Sequence, residues 1–353
     1  MNEPEVLTAQ RGRLGLITLN RPKAINALTH GMVGVITHTL ARWRNDLSVA
    51  AVAVTGAGDR GLCAGGDVVS LYNNVTMSDG MAAAAFWRDE YAMNAMIAAY
   101  PKPYIAVQDG IVLGGGVGVS AHGSHRIVTE RTKIGFPETT IGYIPDVGGT
   151  WLLSHAPGEL GTRLALSSEN VGAADAILLG LADHFVPSEK LPQLMAALET
   201  SDATAAITAV AEEPPAGMLA EQRQWVDGAF GAVDVATILA ELRRLDTDEA
   251  TKLAGTISAK SPIALSATLA SLRRAAALPD LEAALQQEYR VSRHSSTTHD
   301  FAEGIRAQIV DKDRDPKWNP ATLADVTSAD IEAFFAAPPE GDIRFRLPSK
   351  EMP

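Results

Sequence analysis

Short apolar runs that are nearly free of charge recur through the first half of the chain and constrain its fold more than any other feature. Each has the length of a buried strand, and they span residues 14–20, 49–55, 104–108 and 126–129. After Thr29, a residue suited to cap a helix, apolar residues follow at helical spacing: Met32, Val33, Ile36, Leu40 and Trp43. Strands that alternate with helices predict an α/β fold.

The second half of the chain is predicted to be mostly helical. Residues 172–199 predict a helix, a short strand and a second helix, and Pro214, Pro215 and Gly217 predict a linker. Further helices are expected over 262–277, 280–292 and 330–337. The 353 residues allow one large domain or two moderate ones. We predict a core over residues 1–200 and a helical C-terminal region over 201–353.

Composition narrows the class of protein. No apolar run approaches the roughly 20 residues that cross a bilayer, and the polar start MNEPEVLTAQ lacks the features of a signal or transit peptide. Cys63 is the single cysteine, which excludes an internal disulfide and predicts a cytoplasmic protein. The net charge of −12 argues against nucleic-acid binding. It does not exclude an anionic small ligand, because a local Lys and Arg cluster can hold phosphates.

Three glycine-rich segments are candidates for ligand contact. Residues 56–61 fit the dinucleotide fingerprint G-x-G-x-x-G, but residues 62–67 form a poor first helical turn, so a loop is the favoured interpretation. Segments 63–67 and 114–118 could each present unpaired backbone N–H groups. Two such groups from separate loops would form an oxyanion hole. The alternative is tight helix packing or plain turns.

Residues 136–149 carry two carboxylates, Glu138 and Asp146, inside an otherwise uncharged, apolar stretch. Carboxylates are rarely buried without a purpose, and a low-dielectric setting raises their pKa into the range of a useful acid or base. The alternative is that each caps a helix or turn.

Two other groups of polar residues are weaker candidates. Ser120, His122 and His125 lie close together, but they have no acidic or thiolate ligands beside them and no nucleophile-elbow motif. Core or surface histidines are therefore favoured. Cys63 is interpreted as a small buried hydrophobe rather than a nucleophile.

Taken in order, six segments resemble the crotonase superfamily. They are NRPKAINAL (20–28), CAGGD (63–67), PKPYIAVQDGIVLGGGVGVSAHG (101–123), PETTIGYIPDVGG (137–149), AADA (173–176) and GLA (180–182). The resemblance implies a spiral of repeated ββα units followed by a helical C-terminal region. It also implies an acyl-CoA substrate and a thioester carbonyl polarised by the N–H groups of Gly66 and Gly115. No metal or redox cofactor is implied, because coenzyme A arrives with the substrate. A homo-oligomer is allowed.

The resemblance also implies residues that bind the substrate. Arg21 and Lys23 are candidates for the CoA phosphates, and Glu90 matches a position that contacts the acyl hydroxyl. The remaining substrate-binding candidates lie in the matching segments and are Ala24, Asn26, Ala64 and Asp67.

Within the superfamily the chain resembles the 3-hydroxyisobutyryl-CoA hydrolases. Hydratases typically carry two catalytic glutamates, of which one matches Glu138 and the other falls at Gly118. The hydrolases instead share the acid pair eight residues apart, the run 88–91, and a C-terminal extension with Ser261-Pro262, Glu288-Tyr289-Arg290 and residues 299–320.

The resemblance implies a reaction as well. Glu138 would act as nucleophile through a mixed anhydride or as the base for water, and Asp146 would position water or substrate and share proton transfer. The expected reaction is hydrolysis of 3-hydroxyisobutyryl-CoA in valine catabolism. The alternatives are an enoyl-CoA hydratase or isomerase and, more remotely, a non-catalytic nucleotide or CoA binder.

Overall fold

Two β-sheets form the centre of the protein. In the computed structural model, which describes residues 3–345, the larger sheet has the order β1-β2-β3-β5-β7-β10 and the smaller the order β4-β6-β8-β9. The strands are β1 (Val6–Arg11), β2 (Leu14–Leu19), β3 (Ala51–Gly56), β4 (Gly61–Cys63), β5 (Tyr104–Gln108), β6 (Ile111–Leu113), β7 (His125–Val128), β8 (Lys133–Gly135), β9 (Asn170–Val171) and β10 (His184–Phe185).

Successive strand pairs place one strand in each sheet. The pairs β3–β4, β5–β6 and β7–β8 each give their first strand to the larger sheet and their second to the smaller. The paired strands run parallel to their neighbours within each sheet, and only β1 and β9 pair antiparallel. Helical segments follow each pair, so the chain winds as repeated ββα units. The predicted α/β spiral is confirmed.

Helices surround the sheets and make up most of the chain beyond residue 200. They are α1 (His30–Arg44), α2 (Val68–Met77), α3 (Met81–Ala98), α4 (Gly115–Gly118), α5 (Gly149–Ser154), α6 (Leu160–Ser167), α7 (Ala173–Leu178), α8 (Leu191–Leu198), α9 (Ala203–Thr208), α10 (Leu219–Phe230), α11 (Val235–Arg244), α12 (Asp248–Ser258), α13 (Pro262–Ala275), α14 (Leu281–Ser295), α15 (His299–Ile305) and α16 (Ser328–Ala333). Glu138–Ile141 form a 3-10 turn, and a π-helical turn, Arg306–Val310, continues α15. Within residues 3–345, no helix combines the length and the apolar character that crossing a membrane requires.

The four strands predicted in the first half of the chain are β2, β3, β5 and β7, and the short strand predicted within residues 172–199 is β10, which lies between α7 and α8. Thr29 caps α1 as expected by accepting the Met32 N–H at 3.2 Å. The strands of the smaller sheet escaped prediction because two or three residues are too few to show a period. Edge strand β1 escaped because only Val6 of its residues is buried. The glycine segment 56–61 links β3 to β4 and begins no helix.

One hydrophobic cluster runs through the sheets and the C-terminal helices. Helix α13 packs against α5, and α14 packs against α3. The helical region therefore shares its buried apolar surface with the spiral. The boundary at residue 200 stays a prediction.

Replacing Leu265 by Ala tests this shared core. Leu265 lies on α13, is 1% exposed and belongs to the large cluster. We expect the free energy of unfolding to fall by about 2–5 kcal/mol, because truncation removes apolar contacts and leaves a cavity. Urea unfolding followed by tryptophan fluorescence and by circular dichroism should show one coincident transition with a lower midpoint.

The matched control is Leu47→Ala, because the Leu47 side chain is 94% exposed. It should change the free energy of unfolding by no more than about 0.5 kcal/mol. Two separate transitions, of which only one responds to Leu265→Ala, would contradict a shared core.

Candidate active site

A cavity of about 290 Å³ lies between the loops of the smaller sheet, helix α3 and the C-terminal helices. Aromatic and aliphatic side chains form most of its wall, including Phe86, Trp87, Phe301 and Ile309. Polar groups converge on it from several segments of the chain and include those of Gly66, Glu90, Gly115, Glu138 and Asp146. An apolar cavity with a few converging polar groups is the usual form of a small-molecule site.

Two glycines, Gly66 and Gly115, line the cavity side by side. Gly66 follows β4, and Gly115 begins α4 directly after β6, so parallel pairing of these strands brings the two residues together. A Cβ placed on Gly115 would lie 3.2 Å from the Gly66 nitrogen. Within residues 3–345, neither N–H has a backbone acceptor outside the regular elements, and Gly115 occupies the first position of its helix. The pair is therefore available to a ligand oxygen.

Two carboxyl groups lie against the glycine backbone beside these N–H groups. A Cβ on Gly115 would sit 2.8 Å from Glu90 Oε1, and one on Gly114 would sit 2.5 Å from Glu138 Oε1. Gly114 also has φ 48° and ψ −116°, a conformation that side-chain-bearing residues avoid. The glycine run noted in the sequence thus leaves space in which both carboxyl groups lie beside the candidate oxyanion-hole N–H groups.

Three carboxyl groups are buried around the cavity. Glu90 on α3 is 2% exposed, and Glu138 and Asp146 are each 6% exposed. Burial raises the pKa of Glu138 and Glu90 well above the ordinary value, and the nearby charge of Asp146 raises both further. No cationic side chain of the described residues offsets these shifts. Glu138 Oε2 and Glu90 Oε1 have no hydrogen-bond partner among those residues, which leaves them free for substrate or water.

Asp146 differs from the two glutamates because hydroxyl groups hold its carboxylate. Oδ2 accepts from Tyr91 OH at 2.8 Å and from Tyr143 OH at 3.1 Å. Burial raises the pKa of Asp146 to about 6, while the two hydroxyl donors act in the opposite direction. Asp146 therefore favours its ionised form more than the glutamates do. Both acids predicted from sequence reach the cavity.

Position 118 has no room for a second catalytic glutamate. Gly118 lies in α4, where a Cβ would sit 2.7 Å from Val147 Cβ and 2.9 Å from Asn94 Nδ2. Asn94 is fully buried, and neither its Nδ2 nor its Oδ1 is hydrogen-bonded in the part of the chain that the structure describes. The space beside position 118 is therefore filled by Val147 and Asn94.

Comparison with known proteins identifies the family of this chain. The family model described as enoyl-CoA hydratase/isomerase matches residues 14–335. The chain belongs to this family. The 3-hydroxyisobutyryl-CoA hydrolase, mitochondrial, of Danio rerio is 37% identical over 351 residues, which are 96% of this chain and 91% of that protein. The protein of the same name from Homo sapiens is 36% identical and covers 97% of this chain and 91% of its own length.

Two solved structures of the family resemble this one closely. A carnitinyl-CoA dehydratase from Mycobacterium thermoresistibile superposes with a TM-score of 0.94 at 54% identity, over 99% of this chain and 100% of its own. An enoyl-CoA hydratase from Rhodobacter sphaeroides 2.4.1 has a TM-score of 0.92 at 39% identity, over 97% and 100%. The predicted membership of the crotonase superfamily and resemblance to the 3-hydroxyisobutyryl-CoA hydrolases are confirmed.

The other substrate-binding candidates lie mostly outside the cavity. Ala64 lines it, and Asp67 lines a neighbouring groove of about 480 Å³ between α1, α2 and α3. Asp67 also caps α2 and accepts from Arg21, whose guanidinium pairs with Glu5 as well. Roles of these residues in binding coenzyme A remain predictions.

Asn26 stabilises the backbone of the segment that also carries Arg21 and Lys23. It is buried and donates to the carbonyl groups of Ala57 and Gly61 at 3.0 and 3.1 Å, which ties the first segment to the β3–β4 turn. Lys23 and Ala24 are exposed on the turn before it. Their contacts with coenzyme A stay predictions.

Two weaker candidates have ordinary roles. His122 is partly buried, with Nε2 2.7 Å from the Val147 carbonyl oxygen, and desolvation lowers its pKa to about 4. Burial raises the pKa of the Cys63 thiol to about 12, as expected of a small core residue.

Sequence reasoning missed the hydroxyl groups around Asp146. Tyr91, Tyr143 and Ser292 meet there although they come from α3, the 137–149 segment and α14. Residues 91 and 292 are 201 positions apart, so no local pattern joins them. The only available signal was the placement of Tyr91 and Tyr143 inside the two motifs that also carry Glu90 and Asp146.

Replacing Tyr91 by Phe tests how Asp146 is held ionised. Loss of a hydroxyl donor destabilises the carboxylate, so the pKa of Asp146 should rise above about 6. A ¹³C carboxyl titration measures this pKa, with the signal assigned by its loss in Asp146→Asn. The matched control is Tyr100→Phe, because the Tyr100 hydroxyl donates to the Leu40 carbonyl and not to Asp146. An unchanged titration in Tyr91→Phe would contradict this account.

Proposed function

We propose that the protein hydrolyses a short branched 3-hydroxyacyl-CoA thioester, 3-hydroxyisobutyryl-CoA, to 3-hydroxyisobutyrate and coenzyme A. The observation that carries the proposal is the pair of N–H groups of Gly66 and Gly115, which have no acceptor among residues 3–345, beside the buried carboxyl groups of Glu138 and Asp146. Relatives named for this reaction match nearly the full chain.

The thioester carbonyl is assigned to the two N–H groups. As the carbonyl carbon is attacked, negative charge develops on its oxygen, and two fixed donors stabilise that charge without reorganising. Loss of one such donor typically raises the barrier by about 3–4 kcal/mol. The apolar wall, which includes Trp87 and Phe301, excludes water and strengthens the interaction.

Glu138 is assigned the attack on the carbonyl carbon. As a nucleophile, its carboxylate would displace the CoA thiolate and form a mixed anhydride, which water then hydrolyses. As a general base, it would take a proton from the water that attacks directly. Both routes give the same products, and both require the ionised carboxylate. Burial raises the pKa of Glu138, which makes that carboxylate more basic but lowers the fraction that is ionised at neutral pH. Asp146 is assigned to position the water or acyl group and to share the proton transfer.

Glu90 is assigned to the 3-hydroxyl group of the substrate. Its Oε1 lies next to the Gly115 position and has no partner among residues 3–345. A buried acceptor without a partner favours a substrate that supplies a donor, because an acyl group lacking the hydroxyl would leave it unsatisfied.

A hydratase or dehydratase is the second candidate function. It is favoured by the two solved structures, whose descriptions are a carnitinyl-CoA dehydratase and an enoyl-CoA hydratase. Addition of water across a double bond in this family typically employs two glutamates, and position 118 supplies none and has no room for one. This observation supports the hydrolase over the hydratase.

Three finer statements belong to the same proposal. A role in valine degradation follows from the proposed substrate. A cytoplasmic location was expected from composition, whereas the vertebrate relatives are named mitochondrial, so the compartment remains a prediction. Assembly into a homo-oligomer likewise remains a prediction.

A panel of short acyl-CoA thioesters tests the reaction. We expect thiol release to be fastest with 3-hydroxyisobutyryl-CoA and slower with isobutyryl-CoA, which lacks the hydroxyl donor for Glu90. Hydration of crotonyl-CoA, followed by loss of enoyl absorbance, should be very slow or absent. No thiol release from any short hydroxyacyl-CoA would exclude the hydrolase. A hydration kcat/KM above that for hydrolysis would restore the hydratase.

Removing the acids one at a time tests their roles. Glu138→Gln should lower kcat at least about 10²-fold without changing the fold, and Asp146→Asn should also be strongly impaired. Because both would act in one step, the double variant should lose less than the sum of the single losses in free energy. Steady-state thiol release gives kcat, and Glu189→Gln on the exposed surface is the control. Additive losses would argue for separate roles.

A further inference from the structure

Helix α14 directs two buried polar side chains at the segment that carries Asp146. Glu288 and Ser292 lie four residues apart, one helical turn, and both are fully buried. Neither lines the cavity. Buried polar side chains are normally hydrogen-bonded, so the hydrogen-bond partners of Glu288 and Ser292 indicate what these two residues support.

Ser292 contacts the hydroxyl groups that hold the Asp146 carboxylate. Its Oγ lies 2.8 Å from Tyr91 OH, contacts Tyr143 OH and lies 2.7 Å from the Glu288 carbonyl oxygen. Each hydroxyl group has one proton, so while both tyrosines donate theirs to Asp146, the Ser292 hydroxyl donates either to a tyrosine oxygen or to the Glu288 carbonyl. Both tyrosine hydroxyl groups donate to Asp146 Oδ2. One serine of α14 therefore contacts both of the hydroxyl groups that hold the Asp146 carboxylate.

Glu288 holds the backbone on the other side of Asp146. Its carboxylate accepts from the Gly148 N–H at 2.6 Å, from the Thr150 N–H at 2.9 Å and from the Thr150 hydroxyl. These groups follow Asp146 by two to four residues. Without Glu288 they would be buried donors lacking an acceptor, which is unfavourable.

The segment between these two contacts has a backbone that needs external support. Val147 and Gly148 are both left-handed, with φ 54° and 81°. A β-branched residue rarely adopts this conformation, which persists only where surrounding contacts determine it. The turn that directs Asp146 into the cavity therefore depends on contacts made from outside it.

We propose that Ser292 and Glu288 are positioning residues for Asp146, and that α14 thereby makes the C-terminal extension part of the catalytic apparatus. The inference rests on the proposed hydrolase function. Ser292 fixes the carboxylate through Tyr91 and Tyr143, and Glu288 fixes the following turn through its backbone. Neither touches the substrate.

Kinetics of Ser292→Ala and Glu288→Gln test the proposal. We expect each to lower kcat for thiol release by roughly 10- to 100-fold, as a small displacement of a catalytic group does, with KM changed less than about twofold. The matched control is Ser295→Ala, because Ser295 is equally buried on α14 and donates to the Val291 carbonyl at 2.8 Å but touches neither tyrosine. It should leave kcat within about twofold.

Repeating Ser292→Ala in an Asp146→Asn background separates positioning from general damage to the fold. If Ser292 acts through Asp146, its loss should lower kcat far less once the carboxylate is gone. An equal loss in both backgrounds would overturn the proposal. So would kcat values for Ser292→Ala and Glu288→Gln that match Ser295→Ala.

Hydrogen exchange supplies a readout that does not depend on activity. In Glu288→Gln the new amide group faces the Gly148 N–H, so exchange in a peptide covering residues 146–151 should accelerate, while Ser295→Ala should leave it unchanged. If the unsubstituted protein releases no thiol, the proposed function fails, and exchange alone decides the present inference. Unchanged exchange in Glu288→Gln would overturn it in either case.

Discussion

The close approach of two buried carboxyl groups to the Gly114–Gly115 backbone is the contact on which the site depends. Glu138 and Glu90 occupy the space that side chains at these positions would need. The same two glycines continue β6 into α4, and the Gly115 N–H has no acceptor in the part of the chain that the structure describes. One backbone geometry thus creates the oxyanion-hole candidate and places the acids beside it.

The three buried acids oppose folding, because a carboxyl group taken from water without a cationic partner loses solvation. Their raised pKa values express that penalty, since the neutral form is the one that burial tolerates. The surrounding structure offsets it with shared apolar burial. Trp87, Tyr143 and Phe301 pack with ring centroids 5.1–6.0 Å apart directly beside the carboxyl groups. Buried carboxyl groups with raised pKa values destabilise a fold, and such groups are typical of catalytic sites.

The C-terminal extension completes the cavity as well as supporting it. Phe301, Gln308 and Ile309 line the wall, and the last two lie on the π-helical turn after α15. Arg306 anchors that turn through Glu303, Asp311 and Asp313 at 2.8, 2.7 and 2.6 Å. The shape of the cavity is therefore decided partly by residues more than 150 positions from Glu138.

Local pattern alone determined the buried strands β2, β3, β5 and β7, the cap at Thr29 and the acids Glu138 and Asp146, because each is expressed over a few neighbouring residues. The ordered segments that resemble the crotonase superfamily added Gly66, Gly115 and Glu90 to the predicted site. Only the tertiary structure decided that Tyr91 and Tyr143 donate to Asp146 and contact Ser292, that Glu288 accepts from the turn after Asp146, and that Val147 and Asn94 fill the space at Gly118. It also showed Arg21 and Asp67 paired with each other. These contacts join residues from 3 to 201 positions apart, and what each side chain meets depends on packing that no stretch of sequence encodes by itself.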